Sequence, residues 1–141
     1  MSNKKQNNQG PNILSFLEKG VEALVGKLFS KMSFSVFPEG ELERRWGEIE
    51  ELDSKYSVIE ADKLVDTVLK RAGLQGESMA DRLRRTEKLI PRRIYQDMWD
   101  AHKLRNQLIH EDDYTVNPQY SVEAIWKMKK YLITLGAFKD E

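Results

Sequence analysis

From Ile13 to Leu135, apolar residues recur every three or four positions with few interruptions. That spacing follows the 3.6-residue period of an α-helix and lines apolar side chains along one face, whereas a sheet needs alternation with a period of two. Outside the short 34–37 piece no such alternation occurs, and there is no repeat, so the chain reads as all-α. Its 141 residues allow one domain with a modest core and not two independent ones. The most apolar stretch, 12–32, is broken by Glu18, Lys19, Glu22 and Lys27. It falls short of the roughly 18 to 20 unbroken apolar residues of a membrane span, and no small-residue cleavage site makes it a signal peptide.

Residues 1–11, MSNKKQNNQGP, lack an aliphatic residue after Met1 and cannot recover the entropy of ordering, so they read as a disordered tail. Ile13, Leu17, Val21, Leu24, Leu28 and Met32 define an amphipathic N-terminal helix over 12–32. Its cationic back, Lys19, Lys27 and Lys31, admits contact with a membrane surface, although packing on the bundle, a dimer mate or a partner is preferred. Pro38 and Gly40 make 33–40 a linker. The core bundle is read over 41–138, with 139–141 as a tail. A helical region over 41–72, kinked or split at 53–57, ends at Gly73 to Gly76. A short helix over 78–89 has Met79 and Leu83 inward and Arg82, Arg84, Arg85 and Lys88 outward. A helix from Pro91 to about His110 precedes an acidic turn over 111–116. Asn117-Pro118 or Ser121 caps a last helix with Val122, Ile125, Met128, Leu132 and Leu135 inward.

Composition removes several chemistries. The absence of cysteine rules out disulfides, thiolate catalysis and Cys-ligated metal sites, and fits a cytoplasmic setting. Two histidines, His102 and His110, make a multi-histidine centre within one chain a poor expectation. Twenty-three basic and 23 acidic residues cancel, so attraction to a polyanion has to rest on local clustering.

The helix over 91–110 departs from its own pattern. With Ile94 at zero and about 100° per residue, Ala101, Leu104, Leu108, Met98 and Ile109 form an apolar arc, and Arg105 falls at about 20°, near its middle. A guanidinium keeps its proton in a protein, and burying it alone costs several kcal/mol. Arg105 must pair with a carboxylate, for which the structural reading is an acidic residue of the 41–72 helices, or face an anionic ligand. His102, Asn106 and His110 follow one another at four-residue intervals and form a row along the edge of that arc. Arg105 and His110 differ by roughly 140° and about 7.5 Å of rise. They could converge on one phosphate if the helix ends between them, or if an antiparallel two-fold dimer supplies half of the site.

Arg105-Asn106-Gln107-Leu108-Ile109-His110 resembles the Arg-Asn-x-x-x-His signature of the HEPN superfamily (higher eukaryotes and prokaryotes nucleotide-binding), whose members are small helical bundles with the motif late in the chain. The resemblance covers roughly 41–138 and implies a HEPN-like bundle of four to five helices carrying the extra N-terminal helix. It further implies a metal-independent endoribonuclease of toxin or defence type, without a cofactor, acting as a homodimer with two motifs across a cleft. His110 would act on the ribose 2′-hydroxyl or the leaving 5′-oxygen, Arg105 would hold the scissile phosphate, and Asn106 would orient His110 or a phosphate oxygen. Attack by the 2′-hydroxyl would leave a 2′,3′-cyclic phosphate and a 5′-hydroxyl. The alternative is a non-catalytic nucleotide- or RNA-binding or regulatory dimerisation module of the same fold. An antitoxin or regulatory protein is a possible partner. The tyrosine that follows the histidine by two residues in one toxin branch is Asp112 here, with Tyr114 the nearest tyrosine.

Between Asp81 and Arg105 stand eight basic residues against four acidic ones. Of these, Arg82, Arg85, Lys88, Arg92 and Arg93, together with His102, are candidate RNA contacts forming a basic rim beside the motif. A solvated surface with local pairs such as Asp81 with Arg85 is the bland reading. His102 reads more simply as a packing residue, and Trp46, Trp99 and Trp126 as core or interface packing rather than base stacking.

Overall fold

The computed structural model describes residues 32–139, together with Leu17, Lys19 and Gly20. The chain divides into two units, 1–31 and 32–141. In the first, Leu17, Lys19 and Gly20 are helical; the rest of the expected tail and N-terminal helix lies outside the described residues.

The second unit holds α1 (Glu41–Glu50), α2 (Ser54–Arg71), α3 (Met79–Arg84), α4 (Arg92–His110) and α5 (Pro118–Leu135), with no strand among the described residues. The region over 41–72 does split, at 51–53, where Asp53 takes an extended backbone ahead of α2. Asn117 caps α5 by accepting from the Gln119 N–H at 2.9 Å, and Pro118 occupies the first turn, where a missing N–H costs nothing. Gly136 ends α5 at φ 84°, a conformation that strains any residue with a Cβ.

α2 is the central element: α1, α3, α4 and α5 all pack on it, and α4 also packs on α5. Val58, Ala61, Val65, Val68 and Leu69 of α2 are fully buried against Met98, Leu108, Met128, Tyr131 and Leu132. Polar groups taken into this core find partners, as burial demands. Thr86 donates to the Leu83 carbonyl at 2.7 Å and lies 2.7 Å from the Tyr131 hydroxyl, whose ionisation burial pushes upward. Ser57 and Ser121 join α2 to α5 through hydroxyls 3.0 Å apart, both within reach of the Ser54 carbonyl.

Four expectations are corrected. The 33–40 piece is no free linker: Phe34 is 2% exposed in the core, and Phe37 lies beneath the guanidinium groups of Arg45 and Arg71, 4.9 and 4.4 Å from its ring centre. The short helix stops at Arg84, and turns cover 85–89, because Thr86 turns inward. Arg82 points inward, held by Asp66 of α2 at 2.7 and 3.1 Å and by the Gly76 carbonyl at 2.7 Å. Val122 faces outward, since Ser121 and Ile125 take the inner face of α5.

Candidate phosphate site on α4

α4 carries the Arg-Asn-x-x-x-His residues over its last turns and ends at His110, beyond which Glu111 leaves the helix with an extended backbone. Five residues earlier, Arg105 turns towards α2 and meets Asp62, whose side chain is wholly buried, while a quarter of the Arg105 side chain remains exposed. Nε lies 3.3 Å from Oδ2, yet the N–H is not aligned for a hydrogen bond, and both atoms are buried without another partner. The contact is therefore an ion pair of close charges and not a bidentate clamp. Nη1 of Arg105 donates to the Asn106 side-chain oxygen at 2.9 Å. His102 completes the cluster, with Nδ1 2.9 Å from the other oxygen of Asp62. Its ring meets Trp99 edge to face at 5.8 Å, and Arg84 lies 5.7 Å from the Trp99 ring centre.

Asp62 is the residue that sequence reasoning missed. It stands four residues after Val58 and three before Val65, on the apolar stripe of α2, as Arg105 stands on that of α4. Opposite charges on two facing apolar stripes are the signal of a buried pair. Pairing of Arg105 with an acid of the 41–72 region is thus what the structure contains, and His102 is a packing residue, 6% exposed, that offers no surface contact to RNA.

His110 is exposed and makes no hydrogen bond or ion pair with Arg105 or Asn106. Lys88, Arg92 and Arg93 are exposed, with no ion pair among the described residues. Arg92 and Arg93 open α4 and Lys88 lies in the turn before it, so the basic rim is not beside the motif: Arg93 to Arg105 is twelve residues, about 18 Å of helix, and Arg93 to His110 about 25 Å. Arg82 is spent on Asp66, and Arg85 donates through Nε to the Gln75 carbonyl at 2.6 Å while staying exposed; Asp81 pairs with Arg84, not Arg85. A cavity of about 470 Å³ opens between α4, the 114–117 segment and the start of α5, with Leu104, Tyr114, Tyr120 and Lys127 in its wall. Among the described residues no cluster of three or more His, Asp or Glu is placed to hold a metal, and no helix is long and apolar enough to cross a membrane.

Comparison with protein-family models, with curated proteins and with solved structures finds no match to this chain.

Proposed function

We propose that this chain is a HEPN-like, metal-independent endoribonuclease of toxin or defence type that acts as a homodimer, with Arg105, Asn106 and His110 as its working residues. The observation that carries the reading is the state of Arg105: one edge is anchored on buried Asp62, Nη1 is fixed by Asn106, and a quarter of the side chain remains open to solvent. A guanidinium pre-set in this way has less rotamer freedom to lose on meeting a phosphate, and its remaining N–H groups would donate to the phosphoryl oxygens, on which negative charge grows in the transition state. His110 lies one turn and a half further on, exposed to solvent at the end of α4, where an imidazole can exchange protons with a bound substrate. It takes the 2′-hydroxyl proton or returns one to the 5′-oxygen. The 2′-oxygen then bonds to phosphorus as the 5′-oxygen leaves, giving the cyclic phosphate. Five residues on one helix separate the two groups too widely for a single phosphate, which is the reason for two chains.

A second reading has its own support. Asp62 lies close enough to neutralise much of the Arg105 charge, which favours a binding or regulatory module without turnover. Incubating mixed RNA with the protein in EDTA separates the two. Cleavage that disappears in both His110→Ala and Arg105→Lys is the expected result. RNA binding that weakens in Arg105→Lys, with no cleavage by the parent chain, assigns the module instead.

A further inference from the structure

We infer that the outer face of α5, with the trough between α5 and α1, is the surface on which a second copy of this chain docks, antiparallel about a two-fold axis. The inner face of α5 is already used, with Ala124, Ile125, Met128, Tyr131, Leu132 and Leu135 buried. Yet Val122, Trp126 and Ile133 stand 68%, 56% and 37% exposed. At about 100° and 1.5 Å per residue they fall within about 40° of one another, a single stripe about 16 Å long. A helix that is apolar on two faces belongs between two partners, and an apolar patch rimmed by charge marks an interface.

The trough supplies a second observation. α1 and α5 share no close backbone contact, and two adjoining cavities of about 390 and 360 Å³ lie between them, with Trp46, Glu50 and Lys129 in the walls of both. Leu52, itself 44% exposed, extends the apolar wall. Trp46 is 1% exposed and its buried indole Nε1 has no acceptor. A buried donor left unmet is unfavourable, so a group arriving in the trough with an acceptor would be favoured there.

The occupant follows from the pattern on α5 itself. On the outer face of α5 the side chains in need of cover and the ridge that would cover them are the same residues, which is the condition for an isologous contact. Antiparallel pairing centred between Lys127 and Met128 sets Val122 against the partner's Ile133 and Trp126 against the partner's Lys129. Apolar then meets apolar, and an ammonium meets an indole face. On one flank Glu123 and Lys130, both exposed, stand about 100° and 80° round from Val122. The antiparallel two-fold keeps this flank of both helices on one side and sets each Glu123 within about two residues of rise of the partner's Lys130, whereas a parallel two-fold would put the flanks on opposite sides and leave both charges unanswered. Within the chain Glu123 has only a surface pair with Lys127 at 3.5 Å, which holds it loosely. This face is on α5 and not on the Arg105 helix, so it is a contact between copies separate from the one that would bring two Arg105 helices together, and the inference stands whether or not RNA is cut.

Sedimentation of the full chain over a micromolar range tests it, with circular dichroism confirming that each variant is folded. The parent chain is expected to associate, and Trp126→Glu or Val122→Glu to halve the assembled mass. Glu123→Lys alone is expected to weaken association several-fold, and Glu123→Lys with Lys130→Glu to restore it. A parent chain that is monomeric throughout, or an assembled mass that both apolar-to-Glu variants leave intact, overturns the proposal. Loss of association with Glu123→Lys that the double reversal fails to restore overturns the antiparallel two-fold.

Discussion

Asp62 faces two cationic or protonatable groups from a position with no solvent at all, so its carboxylate depends on Arg105 and His102 for everything that water would supply. Removing one member of a buried ion pair strands the other. Asp62→Ala is therefore expected to lower the unfolding free energy by about 3 kcal/mol or more in urea denaturation. In a cycle with Arg105→Ala, the double variant should lose about 1–3 kcal/mol less than the sum of the single losses. Simple additivity would show that the 3.3 Å contact carries no coupling. His110 makes no such contact and is exposed, so His110→Ala should alter stability by no more than about 0.5 kcal/mol while abolishing the proposed cleavage. That asymmetry makes His110 the cleaner probe of chemistry. Arg105 was legible because a permanent charge on an apolar arc has to be answered by something. Its answer was narrowed only to an acid somewhere in 41–72, because which of the acids there faces α4 depends on how α2 is rotated, a property of packing and not of spacing.

Among the elements, α3 is too short to hold itself, and its attachment to α2 runs through Arg82 and Asp66. Burial tends to raise the Asp66 carboxyl, but hydrogen bonds from Arg82 and Lys70 outweigh it and hold the group below the usual carboxylate range. A carboxylate depressed in the native state contributes stability that is complete above its unfolded value of about 3.9 and is lost as pH falls through the lower native one. Acid denaturation curves should therefore be shallower in Asp66→Asn than in the parent chain, and equal slopes would remove Asp66 from the acid response. Glycines give an opposed pair of predictions. Gly47 is helical and exposed, with nothing within 4 Å of a Cβ built there, so Gly47→Ala should stabilise by about 0.5–1 kcal/mol. Gly136 ends α5 at φ 84°, and Gly136→Ala should destabilise by about 1 kcal/mol or more. Thermal melts that move both variants the same way would contradict this. Helix positions followed from periodicity and caps, but Val122 misled: it continues the apolar spacing of α5, and spacing alone does not reveal that the helix has two apolar faces.

For the whole molecule, the boundary between the two units falls after Lys31 and not at Gly40. Pro38, Gly40 and the serines read as a linker because turn-forming residues dominate local pattern, while the tertiary contacts of Phe34 and Phe37 leave no periodic trace in eight residues. Phe34 is 2% exposed within the cluster that includes Leu42 and Trp46, and Phe37 is stacked beneath two guanidinium groups drawn from α1 and α2. Those contacts tie the entry of the chain to α1 and α2. A chain begun at Met32 should thus unfold in one cooperative transition, whereas one begun at Glu41 should lose about 3–5 kcal/mol, the cost of emptying a buried phenylalanine site. Phe34→Ala in the full chain separates side chain from segment. If it reproduces most of the loss, the aromatic anchor holds the segment; if it costs less than about 1 kcal/mol, the remaining contacts of 32–40 do.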